Sequence, residues 1–253
     1  MSDLAAALVA AVLGMVGGAV APAVIRRLPE PELAAAPEPD ADGTDGTEGS
    51  RLSIKAVHQG EKTSYAELAD GSRVAVVCAL LGALAGAVLG YRLGWQADLA
   101  VPLVAVPAGT WLGYVDARTT FLPTVLIWPT LLVVALTAVV VAASAGQWPD
   151  AERAAIGALV YGGLFYLLWL ITPGFGFGDV RLAFLLGAVL GFLGFYELAT
   201  GVIGGLVLGG VGGALLALLK VIDARRNPFG PHMLLGALVA AGFGPHLAQL
   251  LGY

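Results

Sequence analysis

Apolar stretches long enough to cross a lipid bilayer recur along most of the chain. Each is about 17 to 24 residues long, and a helix of that length crosses roughly 30 Å of hydrocarbon. The 253 residues are 58% hydrophobic and 12% charged, with a mean hydropathy of +0.85, which is unlike a soluble domain. The sequence predicts an all-α membrane protein with about eight transmembrane helices, at residues 4–25, 73–91, 98–115, 122–143, 154–171, 181–196, 198–219 and 230–251.

The basic residues between these stretches predict the orientation of the helices. With the N-terminus outside, eleven of the thirteen Lys and Arg residues fall on the cytoplasmic side, and only Arg92 and Arg153 do not. Cytoplasmic loops of membrane proteins carry such an excess of positive charge. We therefore expect Asp116 and Asp179 to lie at the cytoplasmic ends of their helices.

The pattern divides the chain into three regions. Residues 1–27 form the first transmembrane helix, residues 28–72 a short cytoplasmic loop domain, and residues 73–253 a seven-helix membrane domain. Seven acidic residues and no basic one occur in 30–50, so this part of the loop is expected to be disordered. The weak alternation in 51–72 predicts a small hairpin or a surface helix.

Small residues and the single cysteine further restrict the architecture. Glycines spaced four apart, as at Gly187 and Gly191 and again between Gly201 and Gly213, predict close helix packing. Cys78 is the only cysteine, which excludes a disulfide framework and a thiolate metal site within one chain. The net charge of -5 arises mainly in the acidic loop, and no nucleic-acid partner is expected.

Two aspartates lie where an ionisable group is costly. Asp116 ends the third apolar stretch and Asp179 opens the sixth. A charge at hydrocarbon depth costs on the order of 3 kcal/mol, so each is a candidate functional residue. Taken alone, Asp179 could be a helix N-cap and Asp116 could pair with Arg118 at the interface. Together they form a candidate carboxylate dyad, which can hydrolyse a peptide with one carboxyl protonated and the other ionised.

Several motifs extend this pattern beyond the two aspartates. Gly176-Phe177-Gly178-Asp179-Val180 places two glycines before a carboxylate, where a substrate strand could approach the backbone. Asp116 is followed by Leu122-Pro123 and Pro129, and Pro228-Phe229-Gly230-Pro231 precedes the last apolar stretch. Arg26-Arg27-Leu28-Pro29 follows the first. With these ordered motifs, the chain resembles the bacterial type IV prepilin peptidases, membrane aspartic proteases of the GxGD type.

The resemblance implies an aspartic-type endopeptidase of the plasma membrane, with its active site facing the cytoplasm. It would remove the leader peptide of prepilin-like (pilin or pseudopilin) precursors for type IV pilus assembly or protein secretion. Its partners would be these precursors and the lipid bilayer, and it would need no cofactor and no metal. The resemblance implies that Asp116 and Asp179 are catalytic and that the neighbouring motifs bind substrate or shape the site, namely Gly176, Gly178, Pro228, Phe229, Gly230 and Pro231.

The chain departs from this family's pattern in two places. Thr124 follows Leu-Pro where the family often has Asp or Asn, and Arg181 stands where it has Lys. The loop 27–72 has no cysteine, whereas bifunctional relatives carry two zinc-binding Cys-x-x-Cys pairs there, so N-methyltransferase activity is doubtful. His232 follows the Pro-Phe-Gly-Pro segment, so one interpretation is that it faces the site. A lone histidine more often makes a local hydrogen bond, and we expect that for His232.

Two other functions remain open on the sequence alone. A non-catalytic transporter or a pilus or secretion assembly scaffold could use the aspartates to carry protons or to pair with arginines. An intramembrane protease of the presenilin type shares Gly-x-Gly-Asp, but its Pro-Ala-Leu segment is absent here.

Overall fold

The computed structural model describes residues 3–30, 64–71, 73–172, 175–219 and 228–250. Within these ranges the secondary structure is helical and contains no strand, as predicted. The eleven α-helices described are α1 Asp3–Ala19, α2 Ala21–Ile25, α3 Tyr65–Asp70, α4 Val74–Leu93, α5 Ala100–Thr119, α6 Thr124–Ala145, α7 Trp148–Ile171, α8 Phe177–Leu193, α9 Phe195–Leu206, α10 Gly213–Leu218 and α11 Phe229–Leu250. A short 3-10 turn, Ala97–Leu99, leads into α5.

Each predicted span coincides with helix, but the count of eight membrane crossings is not confirmed. By length and composition, six helical segments of the described chain could cross a membrane: Asp3–Ile25, Val74–Leu93, Ala97–Thr119, Thr124–Ala145, Trp148–Ile171 and Phe195–Gly212. Helix α8, with 17 residues, is shorter than these, and α11 is not among them.

Residues with positive φ and prolines mark several helix boundaries. Helix α4 ends at Gly94 (φ 62°) and α6 at Gly146 (φ 69°), where glycine adopts left-handed backbone at little cost. Thr120 (φ 55°) ends α5 four residues after Asp116. Pro123 then precedes the first residue of α6, where a fixed φ suits a helix start.

Close backbone contacts hold three pairs of helices together: α1 with α4, α7 with α8, and α9 with α11. A Cβ atom at Gly82 would lie 2.1 Å from the Gly14 carbonyl oxygen, and one at Gly187 would lie 2.3 Å from that of Gly157. Likewise, a Cβ at Gly236 would lie 2.7 Å from the Gly205 nitrogen. Helices can approach this closely only through residues without side chains, so the predicted packing role of the glycines is confirmed.

The predicted span 198–219 is interrupted rather than continuous. Helix α9 is followed by a π-helical segment, Val207–Gly212, and only then by α10. A Cβ at Gly209 would lie 2.3 Å from the ring of Phe229, so this ring occupies space that only glycine leaves open. A π segment within a helix often accompanies a functional site.

The end of the loop between α2 and α4 packs onto the helices as α3. Ser64 and Glu67 form a capping box at its start, and Arg26 pairs with Asp70 at its end. The apolar face of α3 joins a buried cluster with α2, α4 and α5. Of the two alternatives for 51–72, the structure therefore shows a helix in the described part, while the predicted disorder of 30–50 falls almost wholly outside the described residues.

Candidate functional site

Asp116 lies on the last turns of α5 and is almost fully buried, with 3% of its surface exposed. Its carboxylate oxygen Oδ2 accepts a hydrogen bond of 2.9 Å from the backbone N–H of Gly230, which is 114 residues further along the chain. A Cβ at position 230 would lie 2.6 Å from the same oxygen. A glycine at the start of α11 is therefore what allows this contact.

Asp179 lies in the first turn of α8 and is 8% exposed. The N-cap of this helix is Gly176, so Asp179 is not the N-cap. A Cβ at Gly176 would lie 3.0 Å from Asp179 Oδ2, so the backbone of Gly176 runs directly beside the carboxylate. Gly176 and Phe177 are exposed, which leaves an approach to Asp179 from this side.

The two carboxylates are close enough to interact electrostatically, and α5 contacts α8. Neither forms an ion pair with a basic side chain in the described part of the chain. Arg118 instead lies over the ring of Tyr114 at 5.7 Å, and Arg181 lies over that of Phe177 at 4.6 Å. The pairing of Asp116 with Arg118, which the sequence left open, is not present.

The motifs that contain the two aspartates contact each other. A Cβ at Gly178 would lie 2.8 Å from the Cβ of Leu122, so Gly178 lets the start of α8 pack against the Leu-Pro turn. The Arg181 guanidinium donates a hydrogen bond to the Thr124 hydroxyl. Thr124 and Arg181, the two positions where the chain departs from the family's pattern, are thus partners in one contact.

The Pro-Phe-Gly-Pro segment reaches the site through Phe229 and Gly230. The ring of Phe229 lies 5.2 Å from that of Phe175 and 5.9 Å from that of Phe165. Pro228 and Pro231 stand on either side of Phe229 and Gly230 in the sequence and are partly buried. His232 is bonded locally, with Nδ1 2.9 Å from the carbonyl oxygen of Pro228. Of the site residues predicted from sequence, Gly230 contacts Asp116 and Gly176 lies beside Asp179, while Gly178 packs against Leu122. His232 makes the local contact expected of it.

One nearby side chain was missed by the sequence reasoning. Tyr65 at the start of α3 is buried, and its pKa is raised by burial, by the charge of Glu30 and by that of Asp116. Its only sequence signal was the Ser64-x-x-Glu67 capping box that starts the helix. No group of three or more potential metal ligands is present among the described residues.

Comparison with known protein families identifies a match. The model of the type IV leader peptidase family matches residues 103–242, more than half of the chain. This range includes Asp116, Asp179 and the Pro-Phe-Gly-Pro segment, whereas α1 to α4 lie outside it. No curated protein and no solved structure gave a significant match. The chain belongs to the type IV leader peptidase family.

Proposed function

We propose that this protein is a membrane aspartic endopeptidase that removes the leader from prepilin-like precursors, with Asp116 and Asp179 as its catalytic residues. The observation that carries the proposal is the pair of buried, interacting carboxylates, to which the described chain supplies no cation. Burying a carboxylate without a cation is costly, and such groups gather at functional sites. Family membership supports the same class of reaction.

The proposed chemistry uses the two carboxyl groups in different protonation states. Close carboxylates do not both ionise, so one keeps a proton and the other takes one from an attacking water. The protonated carboxyl donates to the scissile carbonyl as the tetrahedral intermediate forms. The intermediate then collapses, the C–N bond breaks, and the leaving amine receives a proton.

The proposed location of cleavage is the cytoplasmic face of the plasma membrane. The distribution of Lys and Arg predicts that the helix ends carrying Asp116 and Asp179 face the cytoplasm. A precursor with a basic leader followed by an apolar helix would insert beside the enzyme. Its cleavage point would then lie at the depth of the carboxylates, next to exposed Gly176 and Phe177.

The test is cleavage of candidate prepilins from the same genome by the purified protein. Asp116→Asn and Asp179→Asn should each lose activity by orders of magnitude, and the double variant should be little worse, because groups acting as one unit are not additive. Asp150→Asn is the matched control, since Asp150 is an aspartate near the first turn of α7 that is paired with Arg153. Full cleavage by either single site variant would exclude the dyad.

A further inference from the structure

We propose that Tyr65 is a positioning residue for Asp116: its hydroxyl donates a hydrogen bond to one water that bridges to the Asp116 carboxylate and holds it in its reactive orientation. This inference rests on the proposed function. It makes the end of the loop between α2 and α4 part of the active site, although the family match begins only at residue 103.

Tyr65 is held in place by contacts on several sides. Its side chain is 3% exposed and belongs to a buried cluster that includes Ile25, Val74 and Val115. Val115 is the residue before Asp116, so this cluster reaches the turn of α5 that carries the carboxylate. The backbone N–H of Tyr65 donates a 2.7 Å hydrogen bond to the Glu30 carboxylate, which fixes the start of α3.

The phenol of Tyr65 is a neutral donor at any physiological pH. Burial, together with the charges of Glu30 and Asp116, raises the pKa of Tyr65 to about 12. A neutral phenol carries one O–H donor, and a buried Tyr hydroxyl usually has a partner.

Donor and acceptor are complementary at this point. Within the described ranges, the Tyr65 hydroxyl makes no hydrogen bond to protein, although the side chain is buried. The Asp116 carboxylate accepts one protein hydrogen bond there, from Gly230 to Oδ2. A carboxylate can accept several, and a second donor would fix the rotation of its plane. Tyr65 is the neutral donor that we assign to this second position, through the bridging water.

The test compares Tyr65→Phe with Tyr114→Phe in the full chain. Both changes remove only a hydroxyl, and Tyr114 packs against the same cluster without a proposed role. With a precursor that the unaltered protein cleaves, Tyr65→Phe should lower kcat about ten- to hundredfold and leave KM unchanged, as for a lost hydrogen bond to a charged group. Thermal unfolding should stay the same, and Tyr114→Phe should retain full activity.

Three results would overturn the inference. They are a kcat within about twofold of the unaltered protein, a rise in KM alone, and a loss that Tyr114→Phe shares equally. The Asp116→Asn and Asp179→Asn variants in the same assay separate this inference from the proposed function. If they lose cleavage while Tyr65→Phe keeps it, only the role of Tyr65 is wrong; if they keep cleavage, the proposed function itself fails.

Discussion

The acidic residues at the two ends of the helical bundle differ in whether a basic side chain pairs with them. At one end, Asp116 and Asp179 are buried and interact with each other, and no cation of the described chain pairs with them. At the other end, Arg153 forms a 2.7 Å ion pair with Asp150.

This difference separates a stabilising arrangement from a costly one. The ion pair of Arg153 with Asp150 shows that the fold can supply a cation for a carboxylate. Asp116 and Asp179 lack one although Arg118 and Arg181 are only two residues away, because both guanidinium groups lie over aromatic rings instead. Buried carboxylates held without a cation tend to occur at functional sites, which supports the proposed role of Asp116 and Asp179.

The largest expected effect is a loss of cleavage without a loss of stability when Asp116 or Asp179 is replaced. Asp116→Asn or Asp179→Asn should lower cleavage on the order of a thousandfold or more while the thermal unfolding temperature stays the same or rises, since a buried carboxylate is removed. Asp150→Asn should retain cleavage and lose less than about 1 kcal/mol of stability, because its ion pair is partly exposed. Cleavage assays and thermal unfolding in detergent measure both. If the three variants change cleavage and thermal unfolding equally, the contrast between the two ends of the bundle is wrong.

The second prediction concerns the glycine that contacts Asp116. Gly230→Ala places a Cβ 2.6 Å from Asp116 Oδ2, too close for contact, so the carboxylate must move and cleavage should fall about a hundredfold. Gly163→Ala in α7 is the matched control, since no atom lies within 4 Å of a Cβ there. The control should keep full activity. An active Gly230→Ala enzyme would show that the position of Asp116 is not critical.

A smaller effect is expected from the contact between Thr124 and Arg181. Thr124→Val removes the hydroxyl that accepts the guanidinium hydrogen bond and leaves shape and size nearly unchanged. Cleavage should fall only a few-fold, about what one hydrogen bond of roughly 1 kcal/mol supplies, because the guanidinium keeps its contact with Phe177. Thr137→Val is the control, as its exposed hydroxyl bonds only within α6. An identical decrease in both variants would mean that the contact does not position α8.

The smallest expected effect is at the acidic part of the loop. Deleting residues 32–49 should leave cleavage within about twofold, because this acidic segment has few large apolar residues to pack against the helices. Helix α3 with Tyr65 remains in the variant. Elemental analysis should find no stoichiometric zinc, and no methyl transfer from S-adenosylmethionine should occur, since the loop lacks cysteine. A deletion that abolishes cleavage, or zinc at one per chain, would contradict this prediction.

The sequence predicted the helices and the motifs of the site because both have local signals. Long apolar runs fix the positions of α4 to α7, and Gly-x-Gly-Asp and Pro-Phe-Gly-Pro stand out as short patterns. Their meeting could be inferred only from the resemblance to a family. The contact between Gly230 and Asp116 spans 114 residues and has no signature in local periodicity.

What the sequence left open or missed lies in tertiary contacts. Helix α3, one of two alternatives for 51–72, has six residues, too few to be stable alone, and it is held by Arg26, Glu30 and its apolar contacts. The π segment Val207–Gly212 was not predicted, and within it the ring of Phe229 fills the space at Gly209. Neither feature changes the hydropathy of its segment, so a pattern of apolar residues could not reveal it.

The hydrogen bond from Gly230 to Asp116 also sets the order in which the enzyme becomes competent during synthesis. Asp116 enters the membrane with α5, long before the ribosome reaches α11. Until α11 inserts, the Asp116 carboxylate lacks the hydrogen bond from the backbone N–H of Gly230. The ring of Phe175 likewise lacks its contact with Phe229. On the proposed function, proteolytic activity would therefore arise only once α11 has inserted, and a nascent chain would not cleave precursors before then.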